Sequence, residues 1–265
     1  MLAFPNAKIN IGLRITSKRP DGYHNIESCF YPIPWADALE IVKADKFKFT
    51  TTGLEIPGAS DNNLCIQAYQ LLQKDFDLAP VHIHLHKVIP MGAGLGGGSA
   101  DGSFTLKTLN ELFELSLTTE QLQNYAGRLG SDCPFFIENK PVVVRGTGDE
   151  FSDCSIQLNG KYLLILNPGI HIGTKEAYAN VKPKAPDCPI EKIITGSMNA
   201  WKHDLSNDFE ESVFPRHPEI KAIKEELYQL GAIYASMTGS GSTVYGIFDK
   251  LPASVHRFKI LILTT

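Results

Sequence analysis

The sequence predicts an α+β protein. Three observations carry this: apolar residues alternating at period two, apolar residues at helical spacing, and a proline-punctuated break between residues 180 and 200 that precedes a further α+β segment. Residues 4–16 read as a strand, and Ser17 to Gly22, rich in charge, proline and glycine, as a turn. Strands follow over 25–33 and 38–43 and across the Phe47-Lys48-Phe49-Thr50 alternation. Leu64, Ala68, Leu71 and Leu72 set a helix over 62–76, with Asp61-Asn62 as its N-cap. Val81, Ile83 and Leu85 then alternate with His82, His84 and His86 in a strand, and Phe104, Leu109, Leu112 and Phe113 restore helical spacing over 100–115. A helix over 119–129 and strands over 141–145 and 161–166 come next. Pro183, Pro186 and Pro189 mark the break as a linker or exposed loop. Beyond it lie a helix over 218–230, a Gly/Ser turn at 239–242 between strands, and a final strand from Phe258 to Leu263.

At 265 residues the chain is long enough for one large domain or two modest ones. A net charge of −4 with no basic run gives no support for a nucleic-acid partner. Any positive potential for an anionic ligand must be local, from backbone amides, one or two lysines and a bound metal. No apolar run approaches the roughly 18 residues that cross a bilayer, so no membrane partner is expected. Residues Met1 to Lys8 lack the basic start and apolar stretch of a signal peptide, and a Ser/Arg-rich leader is absent. The cytoplasm is therefore the expected location. Cys29, Cys65, Cys133, Cys154 and Cys188 are odd in number without a CxxC pair, and read as free thiols.

The strongest local signal is Pro90-Met91-Gly92-Ala93-Gly94-Leu95-Gly96-Gly97-Gly98-Ser99-Ala100-Asp101, between a strand and a helix. Glycine takes φ > 0 readily and lets backbone amides approach an anion with no Cβ in the way. The helix that follows adds unpaired N–H groups and a positive dipole end. Ser99 could cap that helix, or reach a phosphate or a metal. A P-loop is excluded, because no Gly-Lys-Ser/Thr follows. Gly92-x-Gly94-x-x-Gly97 matches a bare dinucleotide pattern, but its distant acid, Glu120, lies in a polar helix rather than at a strand end.

Pro90-x-x-x-Gly94-Leu95-Gly96-Gly97-Gly98-Ser99 resembles the phosphate-binding motif of the GHMP kinases, the superfamily of galactokinase, homoserine kinase, mevalonate kinase and phosphomevalonate kinase. Ala7-Lys8-Ile9-Asn10-Ile11-Gly12-Leu13 resembles that superfamily's first motif. Met237-Thr238-Gly239-Ser240-Gly241-Ser242-Thr243 resembles its third, a glycine turn that braces the nucleotide loop. Lys8-Ile9-Asn10 followed by Arg19-Pro20-Asp21-Gly22-Tyr23-His24 is similar to the branch acting on 4-diphosphocytidyl-2-C-methyl-D-erythritol (CDP-methylerythritol) in the non-mevalonate isoprenoid route. Gly130-Ser131-Asp132-Cys133-Pro134-Phe135-Phe136 is similar to that branch's Gly-Ala-Asp-Val-Pro-Phe-Phe. Departures are Gly102-Ser103 in place of Ala-Ala, and Ser131 and Cys133 in place of Ala and Val.

The resemblance implies a two-domain α+β GHMP kinase fold. A ribosomal protein S5 domain 2-like N-terminal domain (1–150) would be followed by a ferredoxin-like C-terminal domain (151–265), with ligands in the cleft between them and the last strand returning to the first domain. It implies phosphorylation of the 2-hydroxyl of CDP-methylerythritol by ATP, with Mg²⁺ bridging the phosphates through few protein ligands, by a monomer or weak homodimer. By the same likeness, Asp132 is the candidate base and Lys8 lies beside it, keeping it ionised. Asn10 shares a strand face with Lys8 and touches the same substrate. Tyr23 and His24 clamp the cytosine, with Thr174 and Tyr178 closing over it. Residues Pro90 to Ala100 hold the nucleotide, and Asn63 and Lys87 lie near the adenine.

His82-x-His84-x-His86 resembles a metal trio, but same-face strand residues stand about 6.6 Å apart. A half-exposed strand face is the better reading. Asn207-Asp208-Phe209-Glu210 reads as a helix N-terminus with acids in the first turn. Three other functions stay open: a mevalonate- or homoserine-type GHMP kinase, an NAD-dependent oxidoreductase, and an RNA-binding module.

Overall fold

The computed structural model describes every residue except 59–61, 180, 254 and 264–265, together with the side chain of Thr174. In chain order the first half carries β1 (Leu2–Ala3), β2 (Asn6–Lys18), β3 (His24–Ala36), β4 (Ala38–Lys43), β5 (Lys48–Gly53), α1 (Leu64–Phe76), β6 (Val81–Lys87), α2 (Gly97–Leu112), α3 (Thr119–Leu129) and α4 (Phe135–Glu138). The second half carries β7 (Val142–Arg145), β8 (Glu150–Asp153), β9 (Tyr162–Leu166), α5 (Thr174–Tyr178), α6 (Ile190–Ile194), α7 (Trp201–Asp204), α8 (Phe209–Val213), α9 (Pro218–Gln229), β10 (Tyr234–Met237), β11 (Val244–Phe248) and β12 (Lys259–Ile262). The chain divides into two compact units that interleave along the sequence. The first comprises Met1–Ala7, Trp35–Met91 and Gly96–Lys140, and the second Lys8–Pro34, Gly92–Leu95 and Pro141–Thr265.

In the first unit a sheet of order β1-β4-β6-β5 pairs β4 antiparallel and β5 parallel to β6. Period-two alternation sends Leu39, Ile41, Val81, Ile83 and Leu85 to one face, where they are fully buried with Ala68 and Leu72 of α1 and Leu106 and Leu109 of α2. The other face carries the histidines. His82 pairs with the Thr50 hydroxyl at 2.8 Å, and His84 and His86 with that of Thr52 at 3.0 and 2.9 Å. A threonine ladder on β5, rather than an ion, takes up the imidazoles.

Asn63 caps α1, its Oδ1 accepting the N–H of Cys65 at 2.9 Å. The expected cap at Asp61-Asn62 is thereby displaced by one to two residues, and Asp61 itself lies outside the described residues. α2 starts at Gly97, earlier than the expected Ala100, because Gly96 at φ 70° turns the chain and its carbonyl accepts the Ala100 N–H at 2.9 Å. Gly102, a departure from the family pattern, sits where α1 and α2 meet. A Cβ there would come within 2.9 Å of the Leu64 Cβ, so close helix packing accounts for it.

In the second unit, one sheet has the order β2-β3-β7-β8 and another the order β10-β11-β9-β12. α9 packs Ile220, Ile223 and Leu227 into a core with Leu164, Ala235, Met237 and Val244. β12 pairs antiparallel with β9, Leu261 opposite Leu163. The last strand thus completes this unit's sheet instead of returning to the first domain. The stretch before residue 200 divides in two: residues 182–187 are exposed and irregular, as the exposed-loop reading has it, but the part that follows packs instead of linking. Ile190 and Ile194, one helical turn apart in α6, are buried, and the Arg145 guanidinium holds Glu191 at 2.5 and 2.6 Å and Glu27 at 3.1 Å. Among the described residues, no helix is long and apolar enough to cross a membrane.

Candidate active site

The glycine segment leaves β6 and enters α2. Gly92, Gly94 and Gly96 hold φ of 63°, 76° and 70°, while Gly97 and Gly98 open the helix. Left-handed backbone at every second position turns successive amides without side-chain obstruction. Gly94 is required for a second reason. A Cβ on it would lie 1.9 Å from the Thr238 carbonyl oxygen. The Thr238 hydroxyl accepts the Asn10 N–H at 3.0 Å and donates to the Gly94 carbonyl at 3.0 Å. The third motif therefore braces residues 92–95, as the resemblance implies. Asn207, read from sequence as part of a helix N-terminus, does accept the Phe209 N–H at 3.0 Å. Its amide also donates to the carbonyls of Met237 and Gly239 at 2.8 and 2.9 Å, holding the turn that holds the loop.

Lys8 and Asn10 lie two residues apart on β2, both buried. The Lys8 ammonium donates to Asn10 Oδ1 at 2.6 Å, approaches the Gly94 carbonyl at 3.5 Å and sits 4.5 Å from the Phe30 ring centroid. Asn10 Oδ1 also accepts the Gly239 N–H at 3.0 Å, and its amide donates to Ser28 Oγ at 2.9 Å. Asn10, 1% exposed, is thus a junction between β2, β3 and the glycine turn. Only part of its hydrogen-bonding capacity remains for a ligand.

His24 stacks on Tyr178 with ring centroids 4.8 Å apart and planes at 21°, and Tyr178 meets Phe209 edge-on at 4.8 Å. Tyr23 is exposed in the preceding turn, where its N–H donates to Asp21 at 3.1 Å. Thr174 opens α5, but its side chain lies outside those described.

Asp132 belongs to the first unit and Lys8 to the second. It sits in the turn before Pro134, the N-cap residue of α4. Ser103, the other departure in α2, donates to the Cys133 carbonyl at 2.7 Å and anchors that turn. Burial pushes the Cys133 thiol up to about 11, so it stays a neutral packing group. Ser99 lies inside α2 and does not cap it, since no side-chain cap bond is made there.

A cavity of about 360 Å³ in the first unit is lined by Phe49, Ile56, Asn63, Leu64, Met91 and Gly98, with Asp101 at its wall. That lies in the ~300–1,000 Å³ range of small-molecule pockets. Its apolar walls, the two asparagines Asn62 and Asn63 and a helix start suit a flat base followed by phosphates. Lys87, expected near the adenine, has its ammonium buried between Asp37 at 2.5 Å and Asp101 at 2.7 Å, out of a ligand's reach. The cause is register: residue 87 continues the inward series 81, 83, 85. Asp37 and Asp101 escaped the sequence reading. Asp101 does share a helix face with Thr105 and Leu109 at four-residue spacing, a signal that this acid points inward. The dinucleotide reading fails as well. Glu120 stands in the first turn of α3, within the Thr118–Gln121 capping box, and the strand after α2 joins a different sheet from β6.

Residues 63–140 match the GHMP kinases N terminal domain, and residues 190–256 the GHMP kinases C terminal family. The 4-diphosphocytidyl-2-C-methyl-D-erythritol kinase of Cytophaga hutchinsonii is 53% identical over 97% of this chain and 95% of its own. The chain belongs to the 4-diphosphocytidyl-2-C-methyl-D-erythritol kinases, a family of GHMP kinases. The protein of the same name from Bacteroides thetaiotaomicron is 54% identical over 94% of this chain and 92% of its own. A crystal structure of a 4-(cytidine 5'-diphospho)-2C-methyl-D-erythritol kinase superposes with a TM-score of 0.81 at 30% identity, covering 93% of this chain and 90% of that one. Like other members of this kinase family, the chain is a small-molecule kinase with the GHMP kinase fold, in a class that uses ATP as phosphate donor.

Proposed function

We propose that the chain transfers the γ-phosphate of ATP to the 2-hydroxyl of 4-diphosphocytidyl-2-C-methyl-D-erythritol, giving the 2-phosphate and ADP. The observation that carries this is the glycine segment. Three left-handed glycines and a helix start present bare amides, and Thr238 holds the Gly94 carbonyl from behind. Phosphoryl transfer asks mainly for positioning and charge compensation, which this arrangement supplies. The adenine enters the cavity beside Asn63, Met91 and Gly98, and the phosphates follow onto the amides of 92–99, the Ala100 amide being engaged by the Gly96 carbonyl.

Asp132 accepts the proton of the attacking hydroxyl, and Lys8 offsets charge on the incoming oxygen. Asn10 directs the Lys8 ammonium through the 2.6 Å hydrogen bond. His24, Tyr178, Tyr23 and Thr174 recognise the cytosine, the stacked His24–Tyr178 pair offering ring edges and one exposed neighbour. Among the described residues, no group of three or more His, Cys, Asp or Glu could hold a metal alone. This fits Mg²⁺, which keeps waters and phosphate oxygens as ligands; when bound it neutralises charge on the phosphates.

The test is ADP release measured with CDP-methylerythritol, mevalonate and homoserine in parallel. Turnover confined to the first is expected, and turnover of mevalonate or homoserine alone would reassign the acceptor.

A further inference from the structure

β6 ends on a lysine that nothing in the phosphotransfer chemistry uses. The Lys87 ammonium lies 2.5 Å from Asp37 Oδ2 and 2.7 Å from Asp101 Oδ2, with no more than 4% of any of the three side chains exposed. The other oxygen of Asp37 accepts the N–H groups of Val88 and Ile89 at 2.5 and 2.8 Å, the two residues by which the chain enters the glycine segment. Asp101 lies on α2, one turn past Gly97, where the chain leaves it. A Cβ on Gly97 would stand 3.0 Å from the Lys87 ammonium, so the cation lies directly beneath the helix start. One buried charge thus ties the entry of the loop to its exit.

Core stability does not explain this. Desolvating three ionisable groups is expensive, and well-packed apolar residues in their place are often as stable or more so. The cluster is not even fully satisfied, because Asp101 Oδ1 is buried without a hydrogen-bond partner among the described residues, a condition that costs stability. What the three side chains do accomplish is geometric.

We propose that Asp37, Lys87 and Asp101 form a positioning clamp that sets the separation between the entry and exit of the glycine segment, and so the aim of its amides at the nucleotide phosphates. The proposal rests on the ATP reading of that segment. It also makes the clamp a charge gauge. The charged and titratable groups facing Asp101 are Lys87, Asp37 and the buried thiol of Cys65 on α1. Burial pushes the Asp101 carboxyl up to about 8, with the neighbouring Asp37 acting the same way, while the two carboxylates keep Lys87 protonated against the effect of burial. At neutral pH the proton belongs on Oδ1, the oxygen without a partner. Above pH 8 a net negative charge appears one turn into α2, opposing the phosphates that its N-terminus attracts.

The experiment measures Mg²⁺–ADP affinity by calorimetry for the full-length wild type, Asp101→Asn and the Lys87→Met/Asp101→Asn double variant, at pH 7 and pH 9. Affinity for CDP-methylerythritol and thermal unfolding are followed alongside. Wild-type nucleotide affinity is expected to fall roughly fivefold or more between the two pH values, and that ratio to return to about one in Asp101→Asn. The double variant, unfolding cooperatively, is expected to lose about tenfold or more in nucleotide affinity while keeping its affinity for the cytidine substrate. A wild-type ratio near one overturns the clamp, as does equal loss for both ligands in the double variant. If that variant does not fold, the pH ratio of Asp101→Asn decides. A wild type that binds CDP-methylerythritol but no nucleotide would instead bring down the ATP reading, and the clamp with it.

Discussion

Asn10 Oδ1 stands 2.6 Å from the Lys8 ammonium and 3.0 Å from the Gly239 amide. One side-chain oxygen therefore orients the candidate catalytic cation and the glycine turn together. Asn10→Ala would strip both donors of their acceptor and leave Ser28 Oγ without its amide donor. A buried group left unsatisfied by that loss costs about 1–3 kcal/mol, although Lys8 and Ser28 keep contacts to the Gly94 and Gly12 carbonyls. A lower melting temperature is expected, together with a fall in kcat of about tenfold or more. Unchanged kcat at saturating substrates would separate Asn10 from Lys8 function.

Gly94→Ala asks for φ near 76° from a residue with a side chain and sets its Cβ against the Thr238 carbonyl. Strain of about 1–3 kcal/mol is expected, relieved only by moving the loop. KM for ATP should rise at least tenfold while KM for the cytidine substrate stays near its wild-type value. Steady-state kinetics with each substrate varied in turn provide the readout.

Asp132→Asn keeps the size of the side chain and removes its capacity as a base. Loss of general-base catalysis amounts to about 10²–10⁴ in rate. Ligand affinities and the circular dichroism spectrum should be preserved. Near-wild-type turnover in a folded Asp132→Asn protein would remove its assigned role.

His24→Ala and Tyr178→Ala each break the stacked pair. Because an aromatic contact contributes about 0.5–1.5 kcal/mol, KM for CDP-methylerythritol should rise by roughly threefold to tenfold. KM for ATP serves as the internal control, and a parallel rise in both would argue for a folding defect instead.

Asp101 also makes stability depend on pH. Its folded value, near 8, lies above the unfolded carboxylate value of about 3.9. The folded state consequently binds the extra proton between these values. Its contribution is complete below about pH 4 and is lost as pH rises through 8. Urea unfolding at pH 6 and pH 9 should show the wild type weaker at pH 9, with the difference reduced in Asp101→Asn.

Much of the proposed catalytic layout rests on motifs visible in the residue string. The strand-glycine-helix order around residues 90–101 announced a phosphate loop, because glycine at that density serves backbone approach to an anion. By resemblance, Asp21-Gly22-Tyr23-His24 and Gly130-Ser131-Asp132 pointed to the proposed acceptor and the proposed base. The burial of the Lys87 ammonium was not foreseen, although its parity with Val81, Ile83 and Leu85 was open to inspection. A lysine at the end of a strand is ordinarily solvated, and its burial depends on two acids from residues 37 and 101 arriving at once. The proline-rich stretch is the exposed loop it was read as over 182–187, but the reading failed beyond Pro189 for a similar reason. Prolines report on local backbone, whereas burial of Ile190 and Ile194 is decided by what packs on them.

By itself the sequence determined the longer strands and helices, the family, and which residue types are available for phosphotransfer, because periodicity and glycine content act over a few residues. Only the tertiary structure decided that Thr238 would hold Asn10, 228 residues away, and Gly94, 144 residues away, and that Asn10 would be consumed in bracing. Such pairings depend on chain closure over long separations and on which polar groups meet once water is excluded. No local pattern encodes that meeting.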